Sequence, residues 1–158
     1  MLLPPAIKTP SPVPGVYDLQ LDGEYKMFGR GRFLTGEDGV YAFRHVKPIP
    51  YPIPTDGPVG DMLSKMGRHA MRPAHIHAIL RHQRFRTLTT HLFVKGDPYI
   101  DSDAVFGVKE SLIVDFIEHP PGPTPDGGAS DVAFFWGAFN FVMAREGSGV
   151  GQDPRRLG

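Results

Sequence analysis

The sequence predicts an all-β fold, an antiparallel β-sandwich with one short helix and long Pro-rich loops. Three observations carry this. Stretches of alternating apolar and polar residues recur along the chain. Glycine (19) and proline (17) are abundant among 158 residues, which suits a turn-rich β architecture. Only one segment has apolar residues at helical spacing. The length supports one domain and is short for two.

The elements follow in order. The first fourteen residues hold Pro4, Pro5, Pro10, Pro12 and Pro14. A segment so poor in N–H donors is expected to be extended and disordered. The folded unit is therefore expected over 15–146, followed by a flexible tail at 147–158, "GSGVGQDPRRLG". In "VYDLQL", Tyr17, Leu19 and Leu21 share one face. "GRGRFLT" and "GVYAFRHV" flank "GEDG", residues 36–39, which reads as a hairpin turn. "GPVGDMLSKMGRH" sets Val59, Met62, Leu63 and Met66 at helical spacing, with Gly67 placed to end the helix. "PAHIHAIL" and "TLTTHLFV" are two more strands, separated by the polar "RHQRFR". Leu112, Val114 and Phe116 alternate in "ESLIVDFIE", a run that could also be helical. "DVAFFWGAFNFVMA" is expected as a long, aromatic last strand whose rings belong to the core.

Composition excludes several function classes. Seventeen basic and seventeen acidic residues leave no net charge, so nucleic acid and membrane surfaces are poor partners. With no cysteine there is no disulfide, thiolate-bound metal or iron–sulfur cluster. The N-terminus lacks the basic and apolar regions of a secretory signal. The most apolar run, 132–139, is too short to span a bilayer. A soluble, cytoplasmic protein is the expectation.

The chemistry centres on "RPAHIH". A strand repeats its side-chain direction every two residues, so His75 and His77 share a face about 7 Å apart along the chain. That spacing suits two imidazoles on one metal ion. It equally suits two hydrogen-bonded strand histidines. A cupin would carry glutamate four or five residues further on, where Arg81 and His82 stand. Without cysteine, further ligands would have to be His, Asp, Glu or Tyr. Tyr51, held between prolines in "PIPYPIP", is either a ligand of fixed direction or a packed loop aromatic. "GDPYIDSD" carries Asp97, Asp101 and Asp103 at a spacing unlike a calcium loop and reads as a structural turn. His45, His69, His82 and His119 are given no role.

Taken together, "GVYDLQ", "RGRFLTGEDGVYAFRHVKPIPYPIPTDGPVG", "GRHAMRPAHIH", "LTTHLFVKGDPYIDSDAVFGVKESLIVDF" and "PGPTPDG" resemble the intradiol ring-cleavage dioxygenases, closest to the hydroxyquinol 1,2-dioxygenase branch. The resemblance runs from Gly15 to about Val142. It implies one mononuclear non-haem Fe(3+), held by Tyr17, Tyr51, His75 and His77. Arg72 would lie beside the substrate and stabilise charge developing on its ring. His91 stands where catechol-type members carry a substrate-lining glutamine; a half-buried structural histidine is the alternative. The donor types suit the ion, since hard Fe(3+) favours anionic oxygen donors and promotes the phenolate. The implied substrates are a catecholic diol and O₂, the implied product a dicarboxylate, and Tyr17 the ligand displaced when the diol binds. Family members usually carry a long helical dimerisation region before the first tyrosine, where this chain has sixteen Pro-rich residues. A homodimer would thus lack its usual helical interface. The alternative reading is a truncated, catalytically silent sandwich that binds metal or a partner, and a zinc-binding β domain is a third.

Overall fold

The structure is a computed structural model and describes residues 6–8, by their backbone, and 30–147. Tyr17, the "VYDLQL" segment and the 148–158 part of the tail lie outside the described residues. Among the described residues strands dominate, with one α-helix. A five-stranded sheet has the order β2-β1-β5-β6-β7. It comprises β1 (Ala6–Lys8), β2 (Arg30–Arg32), β5 (His75–His82), β6 (Phe85–Val94) and β7 (Ile113–Val114). Three two-stranded ladders accompany it: β3 (Tyr51–Pro52) with β4 (Met71–Arg72), β8 (Ile117–His119) with β11 (Phe134–Trp136), and β9 (Gly122–Pro123) with β10 (Ala129–Ser130).

Two features depart from the expectation. Ala6–Lys8, inside the segment expected to be disordered, pairs with both β2 and β5. These residues fall between Pro5 and Pro10, so each retains an N–H for the ladder. The second departure is β7, which runs parallel to β6, through Phe93↔Ile113 and Val94↔Val114. A parallel neighbour needs a long crossover. Residues 95–112 supply it and pass over the end of β5 and β6. Two 3₁₀ turns, Ile100–Ser102 and Glu110–Leu112, lie on that path.

The central hairpin, β5–β6, sets the geometry of everything else. Its two-residue loop, Gln83 and Arg84, closes with His82 opposite Phe85. Continued regularly, that pairing would put His77 opposite Thr90. The observed pairs are instead Leu80↔Leu88, His77↔His91 and His75↔Phe93. Two residues of β6, Arg86 and Thr87, therefore stand against one of β5, Arg81, as a β-bulge. Arg86 gives its N–H to Ala144 O (2.8 Å). The bulge moves the register by one, which decides which residues meet on each face.

Helix α1 (Pro58–Lys65) joins β3 to β4. Pro58 opens it, and Gly67, at φ +64°, closes it. Arg68 N–H then reaches Leu63 O (2.9 Å) and Gly67 N–H reaches Ser64 O (3.0 Å), a Schellman ending. The apolar spacing located the helix correctly, yet only Gly60 and Leu63 are buried; Val59, Met62 and Met66 are exposed.

Of the remaining predicted elements, the turn at 36–39 forms, with Gly39 N–H bonded to Gly36 O (3.1 Å). The following "GVYAFRHV" makes no ladder. Side chains tether it: Tyr41 donates to Phe139 O (2.6 Å), and Arg44 bonds Asp126 (3.1 Å) and Thr124 (3.0 Å). The expected long last strand is confined to Phe134–Trp136. At Gly137 the backbone approaches Phe116 so closely that a Cβ would lie 2.9 Å from its ring. Ile76, Leu92 and Val114 form the core of the sheet's apolar face, with Phe33, Phe43, Phe116, Phe139 and Phe141 packed on them. That face borders a cavity of about 620 Å³ lined by aromatic side chains. Among the described residues no helix is long and apolar enough to cross a membrane.

Candidate metal centre

The opposite face of β5–β6 carries the histidines. His75 and His77 point the same way, as their spacing requires, and the register sets His91 directly across from His77. The three rings lie together, with centroids 4.9 Å apart for His75–His77, 5.3 Å for His75–His91 and 4.3 Å for His77–His91. One ligand nitrogen from each falls within 4.8 Å of the others. Phe93, fully buried opposite His75, backs the cluster.

Tyr51 arrives by a different route. The β3–β4 ladder places Tyr51 opposite Arg72, three residues before His75. Ile53 N–H bonded to Ala70 O (2.9 Å) extends that pairing. The Tyr51 hydroxyl comes to 3.1 Å from His75 Nε2.

His75 is the best-defined group of the site. It is 0% exposed, and its Nδ1 lies 2.7 Å from Pro73 O. A carbonyl only accepts, so Nδ1 carries the proton and Nε2 holds the lone pair. Tyr51 O–H and Arg72 Nη1 (3.2 Å) both face that lone pair. Burial lowers the His75 pKa to about 4, with the nearby Arg72 charge acting in the same direction and the Pro73 bond opposing. The ring is therefore neutral at pH 7, as a ligand must be. Burial, then Arg72, also lowers the pKa of His91.

Arg72 is itself 7% exposed and bonds Asp103, Nε to Oδ1 at 3.1 Å and Nη2 to Oδ2 at 3.5 Å. Burial would raise the Asp103 carboxyl. The Arg72 bonds and the N–H groups of Gly107 and Val105 outweigh it and hold the pKa below the ordinary value. Asp97 accepts from Ala74 N–H (2.9 Å) and Tyr99 N–H (2.9 Å), pinning the backbone just before His75. The acidic loop read from the sequence as a structural turn is thus wrapped around "RPAH". Nothing local to Arg72 signals Asp103, which lies 31 residues further along the chain, in the crossover.

Of the predicted site residues, Tyr51, Arg72, His75, His77 and His91 meet here, and Tyr17 is outside the described residues. The histidines given no role are used locally. His69 bonds Ser102 (2.9 Å), His82 accepts from Arg84 N–H in the hairpin loop, His119 stacks on Phe134 and His45 meets Phe43 edge-on.

The donor set fits a metal ion. Ligands at right angles around an ion, each about 2.1 Å from it, are about 3 Å apart, and Tyr51 Oη and His75 Nε2 are separated by 3.1 Å. The Pro73 carbonyl fixes the tautomer of His75, the usual support of a ligating imidazole. One phenol with neutral imidazoles suits a hard, highly charged ion better than three imidazoles alone would.

Comparison with known proteins adds the following. The profile of a family described as "Dioxygenase" matches residues 12–142. The hydroxyquinol 1,2-dioxygenase of Rhizobium sp. (strain MTP-10005) is 53% identical over 135 residues, 83% of this chain and 45% of that protein. That of Corynebacterium glutamicum is 51% identical over 133 residues, 82% of this chain and 44% of that protein. The crystal structure of hydroxyquinol 1,2-dioxygenase from Pseudomonas putida DLL-E4 superimposes with a TM-score of 0.78 at 41% identity, covering 91% of this chain and 51% of that one. The chain spans about half the length of these relatives.

Proposed function

Starting from the premise that the chain belongs to the intradiol ring-cleavage dioxygenase family, we propose that it takes part in the O₂-dependent cleavage of hydroxyquinol or a related catechol. Both oxygen atoms would enter a muconate- or maleylacetate-type dicarboxylate. In this reading Tyr51, His75 and His77 hold one ferric ion, and Tyr17, in the family's "GVYD" context, is the fourth and exchangeable ligand. We also read the five-stranded sheet and the shorter ladders as parts of the family's β-sandwich.

A bound ferric ion would supply the Lewis acidity that favours a doubly deprotonated diol. The chain's own groups supply the rest. The Pro73 carbonyl keeps the His75 proton on Nδ1, leaving Nε2 for coordination. Tyr51 contributes an oxygen donor beside that nitrogen. Arg72, buried beside His75, would stabilise negative charge developing on the substrate ring, an interaction that low polarity around it strengthens. His91, across from His77, would line the substrate pocket.

The observation that carries the proposal is the 3.1 Å approach of Tyr51 Oη to His75 Nε2 inside the histidine cluster. The test uses one purified sample. Elemental analysis should find about one iron per chain, and the protein should be red-brown from phenolate-to-iron charge transfer. Hydroxyquinol should drive O₂ uptake, with both atoms of ¹⁸O₂ recovered in the dicarboxylate. Zinc in a colourless protein would instead support the three-imidazole site, which the His75–His77–His91 cluster could form alone. Colour without O₂ uptake would support the silent metal-binding alternative.

A further inference from the structure

We propose that Asp103 is the positioning residue for Arg72, fixing the guanidinium so that Nη1 alone is presented to the metal-and-substrate space. This rests on the function proposed above, but its geometric half stands apart from turnover.

Asp103 is 3% exposed, and its two oxygens are fully engaged. Oδ1 accepts from Arg72 Nε (3.1 Å) and Val105 N–H (3.3 Å); Oδ2 accepts from Arg72 Nη2 (3.5 Å) and Gly107 N–H (2.8 Å). A carboxylate gripped by its own backbone is a rigid mount, and a two-pronged Arg–carboxylate pair fixes the plane of the guanidinium as well as its place. The one nitrogen turned away from this mount is Nη1, 3.2 Å from His75 Nε2. Once that lone pair is engaged by a metal, Nη1 needs another acceptor, and an anionic substrate oxygen is the chemistry that provides one.

The loop shows what its shape costs. The turn from Asp103 to Phe106 (Phe106 N–H to Asp103 O, 3.1 Å) brings Gly107 N–H back to Oδ2. It requires Phe106 at φ +54°, among the described residues the only one other than glycine with positive φ. A bulky residue in this region is strained, and such strain persists where the surroundings over-determine it. Arg68 braces the turn from outside, donating to Asp103 O (3.0 Å) with its guanidinium over the Phe106 ring (3.9 Å). A Cβ at Gly107 would come within 3.2 Å of both Arg72 Nη2 and Asp103 Oδ2. A buried ion pair by itself is weak evidence of stabilisation. One whose free prong faces a ligand nitrogen has a clearer role in orientation.

The experiment is a double-mutant cycle in the full chain with hydroxyquinol. Asp103→Asn is expected to lower kcat at least tenfold, with KM within threefold and with iron content and the visible band unchanged. In an Arg72→Gln background the same change should cost less than twofold, because Asp103 acts through Arg72. Equal fold-losses in both backgrounds, or a loss of iron in proportion to rate, would overturn the proposal. Independently of activity, exchange of the Arg72 Nε proton with water in the metal-free protein should be at least tenfold faster in Asp103→Asn. Equal exchange rates would also overturn it. If Asp103→Asn does not fold, Asp103→Glu replaces it, with reduced kcat and faster exchange expected and wild-type values decisive against. Absence of turnover in the wild type would sink the functional reading, leaving proton exchange to decide the placement.

Discussion

The two faces of the β5–β6 hairpin are built from alternate residues of the same strands, yet they obey different rules. On one face Ile76 and Leu92, with Val114, are held by shape and volume, beside a cavity of about 620 Å³. On the other, His75, His77, His91 and Phe93 stand beside Tyr51 and Arg72, and polar atoms are matched individually. Among the described residues no buried side-chain nitrogen or oxygen lacks a partner. A face built on volume tolerates substitution at a cost in stability. A face built on directed bonds loses its chemistry when one atom moves. Under the proposed function, stability and chemistry therefore separate across a single hairpin.

The register is the common support, and breaking it gives the largest expected effect. Inserting one alanine between Leu88 and Thr89 should turn His91 toward the core and Leu92 toward the histidines. Loss of bound iron and a fall in Tm of more than about 10 °C are expected; a stable, iron-loaded insertion protein would break the comparison. Deleting Thr87 provides the contrast. It removes the bulge while leaving His77 opposite His91, so iron content measured by elemental analysis should survive.

Next in size, Tyr51→Phe should remove most of the visible charge-transfer band and reduce turnover at least a hundredfold. Denaturant unfolding of the metal-free protein should shift by only about 1 kcal/mol, the size of one hydrogen bond. Leu92→Ala should do the reverse. A loss of about 3 kcal/mol in unfolding free energy is expected, with colour per folded molecule unchanged. Should the two variants have the same profile, the separation of the faces is wrong.

The smallest effect sharpens the comparison through pH. In the metal-free protein His75 has its pKa lowered to about 4, against an ordinary 6.5 in the unfolded chain. Between these values only the unfolded state takes up the proton, so stability should fall as pH drops from about 6.5 to about 4 and then level for this group. His91, lowered by burial, acts in the same direction. Asp103, also lowered, adds a loss only as pH falls through its folded value, below the range where the histidines act. Thermal melts of His75→Asn should show a flatter dependence on pH, while Leu92→Ala should keep the wild-type slope.

Much of the site was legible before folding, for local reasons. His75 and His77 share a face because a strand repeats every two residues. The prolines around Tyr51 left it either a ligand or a packed loop aromatic, and the family resemblance is what implied a ligand; Gly67 was marked by the helix it ends. The parts that local reading left open share one cause. His91 was named as a pocket-lining candidate, but its pairing with His77 depends on how β6 aligns with β5, which alternation within β6 does not specify. Asp97 and Asp103 looked like turn residues because the crossover that carries them brings them to partners, Ala74 and Arg72, 23 and 31 residues back along the chain. "DVAFFWGAFNFVMA" read as a long strand because apolar alternation does not reveal the close approach of Gly137 to Phe116.

By itself the sequence determined the mostly-β character, the helix at Pro58–Lys65, the family and the residue types available to a metal. Each of these follows from chemistry within a few neighbours along the chain or from motifs in order. The tertiary structure decided which of those residues meet. It set the parallel β6–β7 pair, the one-residue shift that joins His91 to the cluster, and the crossover that delivers Asp103 to Arg72. These depend on ladder register and chain return across tens of residues, where alignment of distant backbone groups, rather than local preference, selects the contact.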